Sequence, residues 1–254
     1  MNDAPRAFDL HGAAAAEALD WLHVNADVVG VEERDDAITV WVHGELPLPP
    51  FADLRITVRD VAAAALHATG LENDAPILVA DDLLVRPPWV ERPPRFTGVE
   101  LIVPRGGAFG SGEHASTKAA LRCLHRTWNA PRSVADVGTG SGILALYALV
   151  RGCPSIEACD IEAEAVRAAR DLLPGCRVHE GGAETLAPAD CVIANMTAAE
   201  LRGSMPTILA RWTRRGLLVL SGMRAHEVEA IAALVTAPRI ATEIVADFTS
   251  LAFR

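Results

Sequence analysis

Cysteine is scarce and badly placed for chemistry: Cys123, Cys153, Cys159, Cys176 and Cys191 are scattered along 254 residues with no Cys-x-x-Cys pair and no metal-ligand spacing. That excludes a disulfide frame and a zinc site, so no metal is expected and the thiols read as small buried hydrophobes. Long apolar runs are also missing. The longest, residues 143–150, falls far short of the roughly 20 residues that cross a bilayer. The first twenty residues carry acids where a secretory signal needs basic residues and an apolar core, so the expectation is a cytoplasmic chain without a membrane partner. No Gly-x-Ser-x-Gly elbow is present, His226-Glu227 lacks the second histidine of a metalloprotease helix, and no glycine precedes Lys118 as a phosphate loop requires. Serine hydrolase, zincin and P-loop chemistry are thereby set aside. Lysine itself is nearly absent, with Lys118 alone against 22 arginines.

What is present divides the chain in two. Residues 1–94 hold 6 arginines against 17 acids, a net −11, while the remainder holds 17 basic residues against 16 acidic. An acidic surface repels a phosphate backbone and attracts basic partners, or serves solubility alone. The N-terminal part reads as a small α+β unit over residues 1–82. Helical spacing covers 13–24, strands 27–33 and 37–43 flank a turn at Asp35-Asp36, and an apolar segment spans 54–66. Four prolines at 87, 88, 93 and 94 mark residues 83–98 as an extended connector. From residue 99 apolar runs alternate with helical stretches: strands at 133–137, 156–159, 191–194 and 216–220, helices at 143–150, 163–172, 198–212 and 225–235. Such alternation predicts an α/β domain with a parallel sheet covered on both faces and ligands at the carboxyl ends of its strands. Segments 240–245 and 248–253, with no helix between them, predict a closing antiparallel hairpin.

The strongest chemical signal is Asp136-Val-Gly138-Thr-Gly140-Ser-Gly142, directly after a strand and before a helix. A glycine-rich turn there lets a ligand reach backbone N–H groups at the positive end of the helix. The third glycine comes one residue too early for the dinucleotide fingerprint, which argues against a nicotinamide oxidoreductase. The acid two residues before Gly138 would repel a pyrophosphate and suits a ligand with an ammonium and a carboxylate, such as the methionyl end of S-adenosylmethionine. Asp160 ends the next strand, where a carboxylate accepts both ribose hydroxyls or caps the helix that begins nearby. Ile161 is the natural cover for an adenine face. Asn195, at the tip of a later strand, offers one acceptor and two donors and never carries charge, which suits gripping an amine; as a lone residue it equally reads as a turn former.

Taken together, AFGSGEHAST, DVGTGSGIL, the strand-end Asp160, VIANM and LVLSGM in this order resemble the PrmA family of ribosomal protein methyltransferases, which use S-adenosylmethionine to modify large-subunit ribosomal protein L11. The resemblance runs over residues 83–254, including LLVRPPW and the terminal hairpin, and is architectural over 1–70. It implies a class I methyltransferase with a seven-stranded, mostly parallel Rossmann-like sheet behind a small substrate-recognition domain. It further implies that Thr117, Gly138, Gly140, Asp160 and Asn195 contact S-adenosylmethionine and that Phe109 and His114 line the active-site loop. Asn195 would orient the attacking amine of a basic ribosomal protein, with Glu113, His114 or solvent as the base. The family departures are GEHAST in place of GTHPTT and Asn-Met in place of Asn-Ile or Asn-Leu. The expected partner is the protein substrate, with no nucleic acid bound directly and a monomeric state. A non-catalytic module that keeps this fold is the competing class.

Overall fold

The computed structural model describes residues 6–33, 37–43, 46–58, 75–104 and 112–254. The chain forms two compact units, Met1–Asp74 and Ala75–Arg254. In the first, strands β1 (Arg6–His11), β2 (Asp27–Glu33), β3 (Ile38–His43) and β4 (Arg55–Val58) make an antiparallel sheet in the order β2-β3-β1-β4. Helix α1 (Ala15–Asn25) places Ala15, Ala18 and Leu22 at helical spacing on one stripe, and these pack with Phe8 and Leu10 of β1 and Val40 and Val42 of β3. The period-2 and period-3.6 patterns meet in one core. The turn expected at Asp35-Asp36 lies outside the described residues, as does most of the apolar segment after Val58.

The second unit begins ahead of the expected connector. Strands β5 (Ile77–Ala80), β6 (Leu83–Arg86) and β7 (Val99–Ile102) form a three-stranded sheet, β6 pairing antiparallel with β5 and parallel with β7. The proline segment is therefore a loop between two paired strands. Arg86 shapes it, donating to the carbonyls of Pro87 and Val90 and to the Glu100 carboxylate. Val79, Leu83 and Val85 face the main core and are 0–1% exposed.

The main sheet has the order β10-β9-β8-β11-β12-β14-β13. Its strands are β8 (Ser133–Val137), β9 (Ser155–Asp160), β10 (Arg177–Glu180), β11 (Ala189–Asn195), β12 (Trp212–Arg224), β13 (Arg239–Val245) and β14 (Phe248–Phe253). The first five run parallel, and β14 is antiparallel to both its neighbours. Both faces are covered, which is why the central strands read as continuous apolar runs. Ile193, Leu217 and Val219 share a core with α2 (Ala115–Thr127), α3 (Ile143–Val150) and α4 (Ala163–Leu172). The alternate residues Val192, Ala194, Leu218 and Leu220 pack with α5 (Ala198–Arg211) and α6 (Val228–Ala232). Among the described residues no helix is long and apolar enough to cross a membrane.

Three local differences from the sequence reading have physical reasons. Strand β10 was not anticipated because Arg-Val-His-Glu is an edge strand with one buried side chain, Val178. Strand β12 extends well beyond residues 216–220 at both ends. The last helix is shorter than 225–235, since residues 225–227 form a separate 3-10 turn ahead of it.

Gly142 caps α3 with φ +92°, and a Cβ there would lie 3.0 Å from Leu173 Cδ1 and 3.4 Å from Ala169 Cα. Backbone strain and the crowding against α4 add, so Gly142→Ala should lower stability by about 1–3 kcal/mol. An unchanged urea midpoint would refute the close approach of the two helices at this turn.

Candidate active site

Strand order reverses at β8: the chain leaves it toward β9 and β10 and later returns on its other side as β11. A crevice opens at the carboxyl ends of the strands at such a point. Here a cavity of about 940 Å³ is lined by Gly138 and Gly140 after β8, Asp160 and Ile161 after β9, Asn195 and Met196 after β11, Gly222 and Arg224 of β12, and Phe248 of β14.

The turn after β8 is held from behind. Asp136 is fully buried, and its Oδ2 accepts from Thr139 Oγ1 (2.7 Å) and from the backbone N of Ala145 in the first turn of α3 (3.2 Å). It thus caps a helix whose own cap, a glycine, has no side chain. Its other oxygen, Oδ1, is buried without a hydrogen-bond partner among the described residues, and Asp136 is not among the residues lining the cavity. Burial pushes its pKa up to about 6, against the hydrogen bonds from Thr139 and Ala145. At Gly138 (φ +66°) a Cβ would come within 2.9 Å of Met196 Sδ, so the turn approaches the end of β11 as closely as glycine allows.

Asp160 ties two turns together and borders the cavity. Its Oδ2 accepts from Gly140 N (2.9 Å) and its Oδ1 from Glu162 N (3.1 Å), while the carboxylate also borders the cavity. Each oxygen keeps a lone pair for a ligand. Ile161 beside it is 76% exposed, an apolar wall with nothing of the chain packed over it.

Asn195 stands at the end of β11 opposite Ser221 of β12. Its Nδ2 lies 3.5 Å from Thr117 Oγ1, and its Oδ1 is buried without a hydrogen-bond partner among the described residues. Thr117 is fully buried and is not on the cavity wall, so it touches Asn195 and not the open space. The first turn of α2 is fastened over the strand ends by Ser221 Oγ, which donates to the carbonyl of Ser116 (3.0 Å).

His114 is the N-cap of α2. Its Nδ1 accepts from Ser116 N (3.3 Å), and its ring meets Phe248 edge-on at 4.7 Å. Burial first, then Arg224 and Lys118, hold its pKa below the usual histidine value. With Nδ1 accepting, the neutral ring carries its proton on Nε2, which leaves it a poor base toward the cavity. Glu113 is exposed and off the wall, and Phe109 lies outside the described residues. Among the described residues no cluster of three or more metal-binding side chains occurs.

Sequence reasoning passed over several wall residues, among them Gly222, Met196, Arg224 and Phe248. Gly222 had a readable signal, the Ser-Gly-Met at the end of a strand: its φ is +96° and a Cβ would meet the Met196 carbonyl at 2.2 Å. Phe248 had none, because it arrives from the closing hairpin 53 positions beyond Asn195. Among the described residues acids dominate the wall, with Asp160, Glu162, Glu164, Glu200 and Glu227 against one arginine, Arg224.

A family model described as ribosomal protein L11 methyltransferase (PrmA) matches residues 20–246. The match reaches well into the first unit, beyond the architectural likeness expected there. The ribosomal protein L11 methyltransferase of Dechloromonas aromatica (strain RCB) is 32% identical over 217 residues, covering 76% of this chain and 73% of that protein. The one from Shewanella sediminis (strain HAW-EB3) is 30% identical over 225 residues, 85% of this chain and 75% of that protein. For the Chromobacterium violaceum relative, 35% identical, the chain spans only 54% of its length. Among solved structures, the ribosomal protein L11 methylase of Lactobacillus delbrueckii subsp. bulgaricus matches with a TM-score of 0.64 at 25% identity, covering 70% of this chain and 97% of that one.

Proposed function

The chain belongs to the ribosomal protein L11 methyltransferase (PrmA) family, and from that premise we propose that it transfers methyl groups from S-adenosylmethionine to amino groups of ribosomal protein L11, on lysine side chains or the N-terminal α-amine. The observation that carries this reading is Asn195, a residue of the wall that also holds the glycine turn and Asp160, whose buried Oδ1 has no hydrogen-bond donor among the described residues. That donor set fits the methyl donor. The Asp160 lone pairs suit a ribose diol, Ile161 an adenine face, and the glycine turn a close backbone approach. The acidic wall suits a ligand that bears a sulfonium and an ammonium.

S-adenosylmethionine supplies a methyl group already activated by its positively charged sulfur. The chain's own residues then have a positioning task. Asn195 Oδ1 accepts one N–H of the incoming neutral amine and so directs the nitrogen lone pair toward the methyl carbon. As the N–C bond forms and the C–S bond breaks, the amine becomes positive and this hydrogen bond strengthens. A carboxylate at the same place would hold the amine protonated beforehand. Thr117 acts through Asn195, fixing the amide plane from below. The surplus proton leaves to solvent, since His114 has its Nδ1 engaged. In this reading the first unit recognises the basic protein substrate, and the enzyme works as a monomer.

Asp160→Ala should weaken S-adenosylmethionine binding by about 1–3 kcal/mol, because ribose hydroxyls lose a charged acceptor. Calorimetry giving the same affinity would remove Asp160 from the site. The function itself is tested by incubating the protein with radiolabelled S-adenosylmethionine and free ribosomal proteins. Label should appear in L11; label in another protein, or in none, would overturn the substrate.

A further inference from the structure

The second unit is neutral in sum, with 19 basic and 19 acidic residues over 75–254, but its charges are sorted along the strand direction. The cavity end carries the acidic wall already described. At the opposite end, where the parallel strands begin and β14 finishes, stand Arg132 before β8, Arg214 and Arg215 near the start of β12, and Arg254 after β14. All four are exposed, and among the described residues none is paired with a carboxylate. Asp190 is the acid closest to them in the sheet, and it serves as a tie. Its backbone N donates to Ser133 Oγ (3.0 Å) and its Oδ1 accepts from Thr213 Oγ1 (3.3 Å), which joins the neighbours of Arg132 and Arg214.

The presentation of the arginine pair is unusual. Ala189 pairs with Trp212 and Cys191 with Leu217, so β12 advances five residues while β11 advances two. Four residues, 213–216, thus face the single Asp190, and the exposed 213–215 form a bulge, a device that re-aims side chains. Arg214 sits on it at φ +60°, a left-handed conformation for which glycine or asparagine is the usual occupant. Its guanidinium lies 5.9 Å from the Trp212 ring and donates to Thr236 Oγ1 (3.2 Å). Strain accepted at a charged, exposed position points to a use for that charge.

We propose that this end of the sheet docks the phosphate backbone of RNA, away from the cavity and independently of methyl transfer. From β8 to β14 is three strand spacings, about 14 Å, a span that lets the arginines meet several phosphates of one strand at once. Trp212 is 3% exposed and cannot stack on a base, so recognition is of charge and not of sequence. The arginines are open to solvent, and a guanidinium fork matches phosphate oxygens.

The test uses the full chain and a fluorescein-labelled, mixed-sequence single-stranded RNA of 20 nucleotides, followed by anisotropy from 50 to 200 mM KCl. Binding is expected at about 10–100 µM at the lower salt, within the non-specific range. The triple variant R132Q/R214Q/R215Q should bind at least tenfold more weakly, with a log–log salt slope shallower by about 2, since each phosphate left without its arginine removes about 0.7 from the slope. Its S-adenosylmethionine titration should be unchanged, which shows that the fold and cavity survive. Arg214→Gly should weaken RNA binding while raising the melting temperature by about 2 °C, as the left-handed residue is relieved. Equal RNA affinity in the triple variant overturns the proposal. So does binding to phosphatidylserine vesicles without binding to RNA, which would assign the surface to a membrane.

Discussion

Asn195→Ala is expected to lower turnover of L11 methylation by about 100-fold or more while S-adenosylmethionine still binds and the fold persists. The size follows from where the interaction acts. A neutral amine makes an ordinary hydrogen bond to Oδ1, but the nitrogen gains charge in the transition state, and charge-assisted bonds are about twice as strong. The buried position enlarges that difference, because charges interact more strongly at the lower effective dielectric of a buried acceptor. Asn195→Asp separates this from simple positioning. The carboxylate keeps the shape and the acceptor but stabilises the ammonium before reaction, so turnover at neutral pH should fall and the rise of rate with pH should move upward. Rapid-quench turnover with saturating protein substrate measures both. Normal turnover in Asn195→Ala would return the residue to its other sequence reading, a turn former at a strand end.

Much of this site was legible because its parts lie on strand tips of one sheet. Gly138, Gly140, Asp160 and Asn195 are each the last residue of an apolar run or the turn that follows it, and the parallel topology alone carries them to one edge. The burial of Thr117 is invisible to spacing: it lies in the first turn of a helix tied down there by the distant Ser221–Ser116 bond. Asp136 has a role the motif alone does not show: a helix that starts with glycine lacks a side-chain cap, and its carboxylate supplies one to the Ala145 N–H. Phe248 reaches the cavity only through the antiparallel return of β14, a long-range pairing that no local pattern encodes.

Removal of the first unit should abolish most L11 methylation, by about 100-fold or more, and leave S-adenosylmethionine binding intact. The cut must fall at Ala75. A chain beginning within the proline segment would lack β5 and β6 and with them the buried Val79, Leu83 and Val85. At about 1.5–3 kcal/mol each, that deficit rivals the whole stability of an ordinary domain, and failure to methylate would then mean only failure to fold. Residues 75–254 keep both faces of the main sheet covered by their own helices, so this shorter chain should melt cooperatively. The reason to expect reduced activity is electrostatic. Residues 1–74 hold 4 arginines against 14 acids, so the entire net charge of −10 belongs to the first unit. A basic ribosomal protein is drawn to such a surface, mostly through its rate of encounter. With a Debye length of about 10 Å at 0.1 M salt and 3 Å at 1 M, methylation by the full chain should weaken several-fold between about 50 and 500 mM salt. Affinity for S-adenosylmethionine, set by groups within the cavity, should change far less. A chain starting at Ala75 that binds S-adenosylmethionine and methylates L11 as fast as the full protein would show that recognition lies in the second unit, and that the acidity of the first serves solubility.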